Sequence, residues 1–331
     1  MLDRTSLLIV VASIACGLVP SAARGQDRMG SWLNPRFGEL GITGGYGVDY
    51  ACRRDVDQPQ RGLRIIRHNA WLQAPVFQDE GQEFSLRARA AAWDLDGRLT
   101  LPDKGVSVGD HLWDAAVGVT YRWKLDNDWI AGVDAEVGSA SDEPFHSVDE
   151  WTVRAGGWLS IPAGERDAWL FMLSYANARD FLPHVPLPGV AYSWHATPEL
   201  HWLIGFPFTR IRWEPLDRLE LAGSYFFPRR IHARVGYRIL EDVKVYGGYD
   251  WDYDRWFRAG RADDDDRLFY YEQRLTAGVR WDVTENVYMD LNGGFAFDRF
   301  FFEGEDYDDR CTDRVNVGDG LFAGLRVGFR F

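Results

Sequence analysis

The sequence predicts an all-β protein, a transmembrane antiparallel up-and-down β-barrel of about 16 strands. Three observations support this prediction. Apolar residues alternate with polar residues or glycine along most of the chain, the connections between the alternating segments are short at one end and long at the other, and aromatic residues collect where the segments begin and end. Only the N-terminal region has a long apolar stretch, which argues against a helical membrane protein.

The composition excludes several other classes of protein. With 46% hydrophobic and 15% aromatic residues, the chain is too apolar for a disordered protein, and its 34 glycines lack the three-residue period of collagen. The formal net charge of -13 argues against a nucleic-acid partner, because binding phosphates requires clustered Lys and Arg.

Residues 1–23 have the pattern of a cleaved secretory signal. Arg4 precedes the apolar stretch 6–20, and Ser21, Ala22 and Ala23 are the small residues that a signal peptidase accepts. A membrane anchor is the alternative, but this stretch is shorter than the span of about 20 residues that a helix needs. We expect residues 24–40 to form a short periplasmic segment and residues 41–331 to form the barrel.

The end of the chain shows the strand pattern most clearly. From Ala323 to Phe331, apolar residues occupy every second position and Gly or Arg lies between them, which indicates a strand with two unlike faces. Similar segments are predicted at 41–51, 65–77, 83–94, 111–124, 128–139, 148–160, 167–177, 189–196, 199–206, 208–214, 218–227, 230–240, 242–253, 267–282, 286–301 and 317–331.

The connections between these segments sort by length. Those after even-numbered segments are short, such as 125–127, whereas most of those after odd-numbered segments are long, such as 95–110. Short turns on one rim and long loops on the other are typical of outer-membrane barrels. Short connections at Pro207 and at 228–229 leave 14 or 12 strands as alternatives, and an even number places both termini on the periplasmic side.

The aromatic residues favour a bilayer over a secreted soluble β protein. Tyr121, Trp123 and Trp281 approach one predicted rim, and Tyr249 and Trp251 approach the other, as expected for aromatic girdles in contact with outer-membrane lipid. Inward faces rich in Gly, Arg and Asp would also make a poor sandwich core. A last strand that ends in Phe331 resembles the signal read by the outer-membrane assembly machinery, which is therefore an expected partner.

Three segments, 225–238, 263–275 and 300–310, resemble an uncharacterised bacterial family of outer-membrane β-barrels. The resemblance would cover most of the chain after about residue 40. It implies a barrel integral to the bacterial outer membrane, and it implies no activity, catalytic residue or oligomeric state.

The inward faces of the predicted strands carry charges of both signs, which suits a solvated pore wall, and sixteen strands leave room for an aqueous channel. We therefore expect a passive pore or transporter for small polar solutes. The alternative is a structural barrel whose lumen is plugged by loops or packed with charge pairs; an adhesin is less favoured. The candidate pore-lining residues are Arg122, Asp134, Glu136, Arg154, Arg234, Arg238, Asp250, Asp252, Arg274, Arg280, Asp290 and Arg326.

Two predicted outer loops are strongly acidic. Flexible clusters of carboxylates can bind hard divalent cations, so Ca²⁺ is the one cofactor that the sequence suggests. Solvated acidic loops without metal are the alternative. The candidate ligands are Asp263, Asp264, Asp265, Asp266, Glu303, Glu305, Asp306, Asp308 and Asp309.

Two cysteines remain after removal of the signal. Cys52 follows the first strand and Cys311 precedes the last, and a closed barrel makes these strands neighbours. The oxidising compartment then favours a Cys52–Cys311 disulfide across the seam. Two unpaired thiols on the same rim are the alternative.

Catalysis is the least favoured function. His146 beside Ser147, close to Asp142 and Glu143, is the best candidate for a base and nucleophile near the outer rim. It matches no catalytic spacing that we recognise, so we expect that the protein is not an enzyme.

Overall fold

The wall of the molecule is one antiparallel sheet that closes on itself. The computed structural model describes residues 36–58, 62–179 and 181–331. The predicted signal at 1–23 lies outside these residues. The strands are β1 (Thr43–Asp55), β2 (Gly62–Gln78), β3 (Gln82–Asp96), β4 (His111–Lys124), β5 (Ile130–Ser141), β6 (Trp151–Pro162), β7 (Ala168–Ala176), β8 (Leu187–Thr197), β9 (Leu200–Phe206), β10 (Phe208–Leu216), β11 (Leu219–Phe226), β12 (Arg230–Arg238), β13 (Val243–Trp256), β14 (Arg267–Asp282), β15 (Val287–Gly304), β16 (Val315–Val317) and β17 (Gly320–Arg330).

The strand order confirms the predicted barrel. Each strand from β1 to β15 pairs with the next along the chain, and β1 also pairs with β17, with Thr43 opposite Arg330. The three-residue β16 and the longer β17 pair with different parts of β15. They share one place in the ring, so the 17 strands of the described residues form a 16-strand barrel. Each predicted strand segment overlaps an observed strand, and the count of 16 is confirmed over 14 or 12. Among the described residues, no helical segment is long and apolar enough to cross a membrane.

Alternation gives the wall two unlike faces. On β14, Leu275 and Val279 face outward and are 53% and 42% exposed, whereas Arg274, next to Leu275, faces inward and is 6% exposed. The same holds on β15, where Leu291 is 63% exposed and Asp290 is 8% exposed. The polar residues therefore line the inside of the ring and the apolar residues cover its outside.

The two ends of the barrel differ. We call the end with connections such as 97–110 and 257–266 the loop end, and the end with connections such as 125–129 and 283–286 the turn end; β1 begins and β17 ends at the turn end. The wall is uneven in height, because β9 to β12 contain 7 to 9 residues whereas β13 to β15 contain 14 to 18.

Two segments from opposite sides of the barrel contact each other at the loop end. The backbone N–H of Phe257, just after β13, donates to the carbonyl of Ala140 at 2.8 Å, and Ser141 and Phe257 form a parallel bridge. The N–H of Ala259 donates to the Asp142 carboxylate at 2.8 Å. In the ring, β5 and β13 lie on opposite sides. This contact, which we call the β5–β13 crossing, divides the loop end of the lumen into two halves.

An apolar plug fills the half bounded by β1 to β5 and β13 to β17. Residues 99–108 fold back as a hairpin, in which Leu101 N–H donates to Val106 and Val108 N–H donates to Leu99. Leu99, Leu101 and Val108 are at most 2% exposed and belong to one cluster of buried residues with side chains of the surrounding strands. We call residues 99–108 the plug hairpin. The strand residues of this cluster include Leu63, Ile65, Trp93, Leu112, Trp256, Tyr270 and Phe301.

The segment before β1 reaches the turn end of the lumen. The N–H of Gly38 donates to Glu83 at 2.8 Å, and Arg122 donates to the carbonyl of Arg36 and lies 4.4 Å from the Phe37 ring. Glu83 and Arg122 are both 2% exposed and paired with each other. Residues 36–40 therefore cover inward-facing charges at this end.

The structure corrects the predicted disulfide, because Cys52 and Cys311 are both free thiols. Cys52 lies in β1, on one flank of β17. Cys311 ends a short 3-10 turn, Tyr307–Cys311, which packs on the other flank: the Tyr307 ring lies 5.2 Å from Tyr271 and 6.1 Å from Phe302, on β14 and β15. Adjacent strands did not bring the thiols together, because the loop carrying Cys311 folds over the neighbouring strands instead.

We expect both thiols to react with a maleimide in the absence of reductant, in the folded barrel lacking residues 1–23. Cys311, which is exposed, should react faster than the half-buried Cys52. Mass spectrometry of the alkylated peptides measures both rates. Recovery of a single cross-linked peptide that separates only after reduction would contradict the structure.

Candidate functional site: the charged lumen

The predicted pore-lining residues lie on the inner face of the barrel, with one exception. Arg238 is the last residue of β12 and is exposed at the turn end, so it does not belong to the interior wall. Arg154, Asp252, Arg280 and Arg326 are half-buried. The remaining predicted residues are buried, namely Arg122, Asp134, Glu136, Arg234, Asp250, Arg274 and Asp290.

The most connected carboxylate in this interior is Glu272, on β14. Both terminal nitrogens of Arg67 donate to it from β2, and Arg274 Nε lies 2.7 Å from it. Arg299 Nε lies 4.0 Å away, and the Tyr270 hydroxyl donates to it at 3.1 Å. The Arg67–Glu272 pair connects strands that are not neighbours in the ring, so it fixes the distance between two parts of the wall.

A second network joins β3, β4, β5 and β6. Arg89 contacts Asp114 at 2.7 Å and Glu136 at 3.1 Å, and Arg154 lies 3.7 Å from the same Glu136. Asp134 lies 3.6 Å from Arg87. Buried charges require partners of this kind, because an isolated charge inside the barrel would be strongly unfavourable.

A third network lies between β12 and β13. Asp250 accepts hydrogen bonds from Arg234 at 2.6 Å and pairs with His232 Nδ1 at 2.8 Å, while Asp252 lies 2.9 Å from Arg230 Nε. Asp250, Asp252 and Asp254 occupy alternate positions of β13, so their side chains project from the same face of the strand.

The first and third networks border a cavity in the lumen. It has a volume of about 650 Å³ including its solvent-open part. A second cavity of about 470 Å³ lies at the β5–β13 crossing and is bounded by Ala140, Arg154, Trp256 and Phe257. The lining of the first cavity comprises Asp49, Arg67, Asn69, Trp93, Arg230, His232, Asp250, Asp252, Tyr253, Asp254, Tyr270, Glu272 and Arg274.

Polar contacts hold the tip of the plug hairpin in place. Lys104 Nζ donates to Asp266 at 2.5 Å and to Glu303 at 3.1 Å. The Asp313 carboxylate accepts from the N–H of Asp103 at 2.8 Å, and the Asp103 carboxylate accepts from the N–H of Asp313 at 2.7 Å. Burial by itself lowers the pKa of Lys104, but the hydrogen bonds to Asp266 and Glu303 outweigh it and raise that pKa above its ordinary value.

Several of the predicted calcium ligands contact other protein groups. Glu303 is 2% exposed and pairs with Arg258 and Lys104, and Asp266 pairs with Lys104. Asp306 and Asp309 accept hydrogen bonds from backbone N–H groups of their own loop. Within the described residues, no group of three His, Cys, Asp or Glu side chains is placed to hold a metal ion.

His146 and Ser147 do not form a nucleophile and base pair in the structure. His146 Nδ1 lies 3.2 Å from Glu143, and both side chains are more than 60% exposed. The Ser147 hydroxyl instead accepts from the N–H of Asp149 at 3.1 Å and caps the short 3-10 turn Val148–Glu150. Contacts within the same loop therefore account for the positions of both side chains.

Several lumen residues were missed by the sequence prediction. Asp49, Arg67, Arg89 and Glu272 lie at the inward positions of predicted strands, so the alternation that selected Arg274 would also have selected them. The plug hairpin was assigned to a loop, although the alternation of Leu99 with Leu101 and of Val106 with Val108 carried a weak strand signal.

No protein-family model and no curated protein matches the chain. Its fold is similar to several solved barrels. An outer membrane channel from Pseudomonas putida F1 is 12% identical, with a TM-score of 0.38 over 95% of this chain and 100% of that one. OccK7 (OpdD) of Pseudomonas aeruginosa is 11% identical, with a TM-score of 0.37 over 89% and 99%. The transport unit of the Escherichia coli autotransporter AIDA-I is 11% identical, with a TM-score of 0.32 over 98% and 97%. These similarities are too distant to indicate a function.

Glu272→Gln should destabilise the barrel, because it leaves the guanidinium groups of Arg67 and Arg274 buried without their carboxylate. We expect a loss of about 3–5 kcal/mol in the free energy of unfolding, measured by urea titration in detergent. Asp282→Asn is the control, since Asp282 is 53% exposed and pairs with Arg280 at the turn end; its effect should stay below about 1 kcal/mol. Equal effects of the two variants would contradict the network.

Lys104→Met should lower the unfolding temperature at neutral pH, and the difference from the original protein should shrink at alkaline pH. Since the folded pKa of Lys104 is raised, its stabilisation is complete below the ordinary value of 10.5 and is lost as the pH rises through the raised value. Lys124→Met is the control, because Lys124 is 45% exposed and its Nζ lies 2.7 Å from the exposed Asp128. A difference that stays constant with pH would show that the Lys104 charge is not responsible.

Proposed function

We propose that the protein is an integral outer-membrane barrel that conducts small polar solutes, and that the structure represents its closed state. The observation that carries this proposal is the opposite polarity of the two faces of the wall. In the proposed arrangement, residues 1–23 direct export, the turn end faces the periplasm and the assembly machinery reads the strand that ends in Phe331.

The outer face supports insertion into a bilayer. Large apolar side chains are exposed on strands all around the ring, including Leu173, Val235 and Leu291 at 53%, 51% and 63%. A water-soluble barrel would bury such side chains, whereas hydrocarbon is a suitable solvent for them. A closed ring also leaves no unpaired strand edge in contact with lipid.

The inner face supports a solute path rather than an inert filling. A ring of 16 strands is wide enough for an aqueous channel, whereas smaller barrels are filled by side chains. Charges of both signs line two cavities, and they continue toward the turn end through Glu220, Lys244 and Arg326, which are 12% to 18% exposed. Such a wall favours small polar or charged solutes over apolar ones.

The plug hairpin and the β5–β13 crossing support a closed state. The hairpin packs apolar side chains across one half of the loop end, and Lys104 and Asp313 hold its tip against the loops that follow β13 and β15. Conduction through this half therefore requires the hairpin to move. We propose transport as the function, since His146 and Ser147 make separate local contacts.

Replacing residues 99–108 with a Gly-Ser linker of equal length should open the lumen. We expect the original protein to show rare or small current steps in planar bilayers, and the plug variant to show frequent, larger steps. A heat-dependent shift in gel mobility establishes that each protein is folded before it is recorded.

An equal replacement of residues 181–186 is the matched control, since this loop belongs to the other half of the barrel and contributes nothing to the plug cluster. A plug variant that is folded but conducts no more than a protein-free bilayer would refute the channel and leave a structural barrel. Equal conductance in all three proteins would refute the closing role of the hairpin.

A further inference from the structure

Residues 36–40, which we call the strap, lie inside the turn end of the lumen but outside the strands of the wall, because β1 begins only at Thr43. Gly38 and Glu39 are exposed, and the other strap residues are half-buried. The strap is therefore an addition to the closed ring rather than a part of it, and contacts other than strand pairing hold it.

A row of three inward-facing side chains holds the strap through its backbone. Gln78, Glu83 and Arg122 lie opposite one another on β2, β3 and β4, and we call them the polar row. The Gln78 side-chain amide accepts from the N–H of Leu40 at 2.9 Å and donates to its carbonyl at 3.0 Å. Glu83 accepts from the N–H of Gly38 at 2.8 Å, and Arg122 donates to the first carbonyl of the strap. Because water can replace hydrogen bonds of this kind, the strap can leave while the strand pairing stays intact.

The strap separates a charge pair from the water at the mouth of the barrel. Glu83 is the second residue of β3, and Arg122 lies two residues from the end of β4, so both are close to the rim. Both are nonetheless only 2% exposed. The Phe37 ring lies 4.4 Å from the Arg122 guanidinium. Since water solvates charges at a rim strongly, the strap that covers this pair accounts for its burial.

We propose that the strap is a movable closure of the turn end. In the closed state it covers the polar row, and in the open state it moves out of the lumen and exposes that row to solutes. The carbonyl of Ile42 accepts from the N–H of Phe331 at 2.9 Å, which fixes the chain to the wall and places the pivot at Gly41. The role of this closure in conduction rests on the proposed function, because the strap and the plug hairpin would then close opposite ends of the same half of the barrel.

The strap narrows the mouth without sealing it. It contacts β2, β3 and β4, whereas the charges at Glu220, Lys244 and Arg326 lie on β11, β13 and β17. The plug variant can therefore conduct with the strap in place, and release of the strap should enlarge its current steps.

Gly38 offers a substitution that acts on the strap rather than on the wall. Its φ of +78° lies in the left-handed region, which proline cannot adopt, and its N–H is the donor to Glu83. Gly38→Pro should therefore release the strap. Gln78→Leu should act in the same direction, because it removes both hydrogen bonds to Leu40.

The test is chemical access to a cysteine behind the strap, in the folded barrel lacking residues 1–23 in detergent. Ser85→Cys provides the target, because Ser85 is 3% exposed and lies two positions deeper on β3 than Glu83. A charged methanethiosulfonate is the reagent, and mass spectrometry of the peptides measures its rate. We expect Gly38→Pro to accelerate the reaction about tenfold or more, because it shifts the strap toward the open state.

Gly164→Pro is the matched control. Gly164 also has a positive φ, of +99°, but it lies in the connection between β6 and β7 at the same end of the barrel. It should leave the reaction at Ser85→Cys unchanged. The exposed Cys311 at the loop end is the internal reference for reagent activity in every variant. If Ser85→Cys fails to fold, Thr120→Cys replaces it, since Thr120 lies opposite Ser85 and is 6% exposed.

Labelling that is equally slow or equally fast with and without Gly38→Pro and Gln78→Leu would overturn the inference. Labelling requires no current, so it is independent of the channel measurement. Faster labelling in a barrel that never conducts would refute only the proposed channel, whereas conduction by the plug variant with unchanged labelling would refute only the strap.

Discussion

The pairing of β1 with β17 is the interaction on which the rest of the molecule depends. Without it, the sheet would have two edges with rows of unpaired N–H and C=O groups. Closure also creates an inside, and only then does an alternating sequence give each strand one face toward the interior and one toward the surroundings. The buried charges follow from this closure, because every second residue must enter a space from which bulk water is largely excluded.

The interior charges do more than neutralise each other within neighbouring strands. Arg67 reaches Glu272 across the positions of β1, β17 and β15, and the plug hairpin is fastened through Lys104 to residues on the far side of the loop end. Such contacts make the shape of the lumen depend on a few long side chains.

The wall was predictable from the sequence because a strand with two environments has a period of two, and the pattern around Leu275, Val279 and Leu291 is unambiguous. Contacts across the lumen were not predictable from the sequence. The Phe257–Ala140 hydrogen bond, for example, joins backbone atoms, which almost any residue type can provide. The Cys52–Cys311 prediction failed for a related reason: neighbouring strands were correctly inferred, but the path of the loop that carries Cys311 depends on aromatic packing around Tyr307. Asp49 was overlooked because a single carboxylate among glycines gives little signal.

The β5–β13 crossing has a mechanical consequence. A plain cylinder of strands flattens readily when the surrounding membrane is stretched or compressed sideways, because its cross-section can change from circular to oval while every pair of neighbours stays bonded. The β5–β13 crossing joins opposite sides of the ring and therefore resists that deformation along one diameter. The barrel is therefore stiffer along the tied diameter than across it, and lateral pressure in the membrane would act mainly on the two lobes to either side.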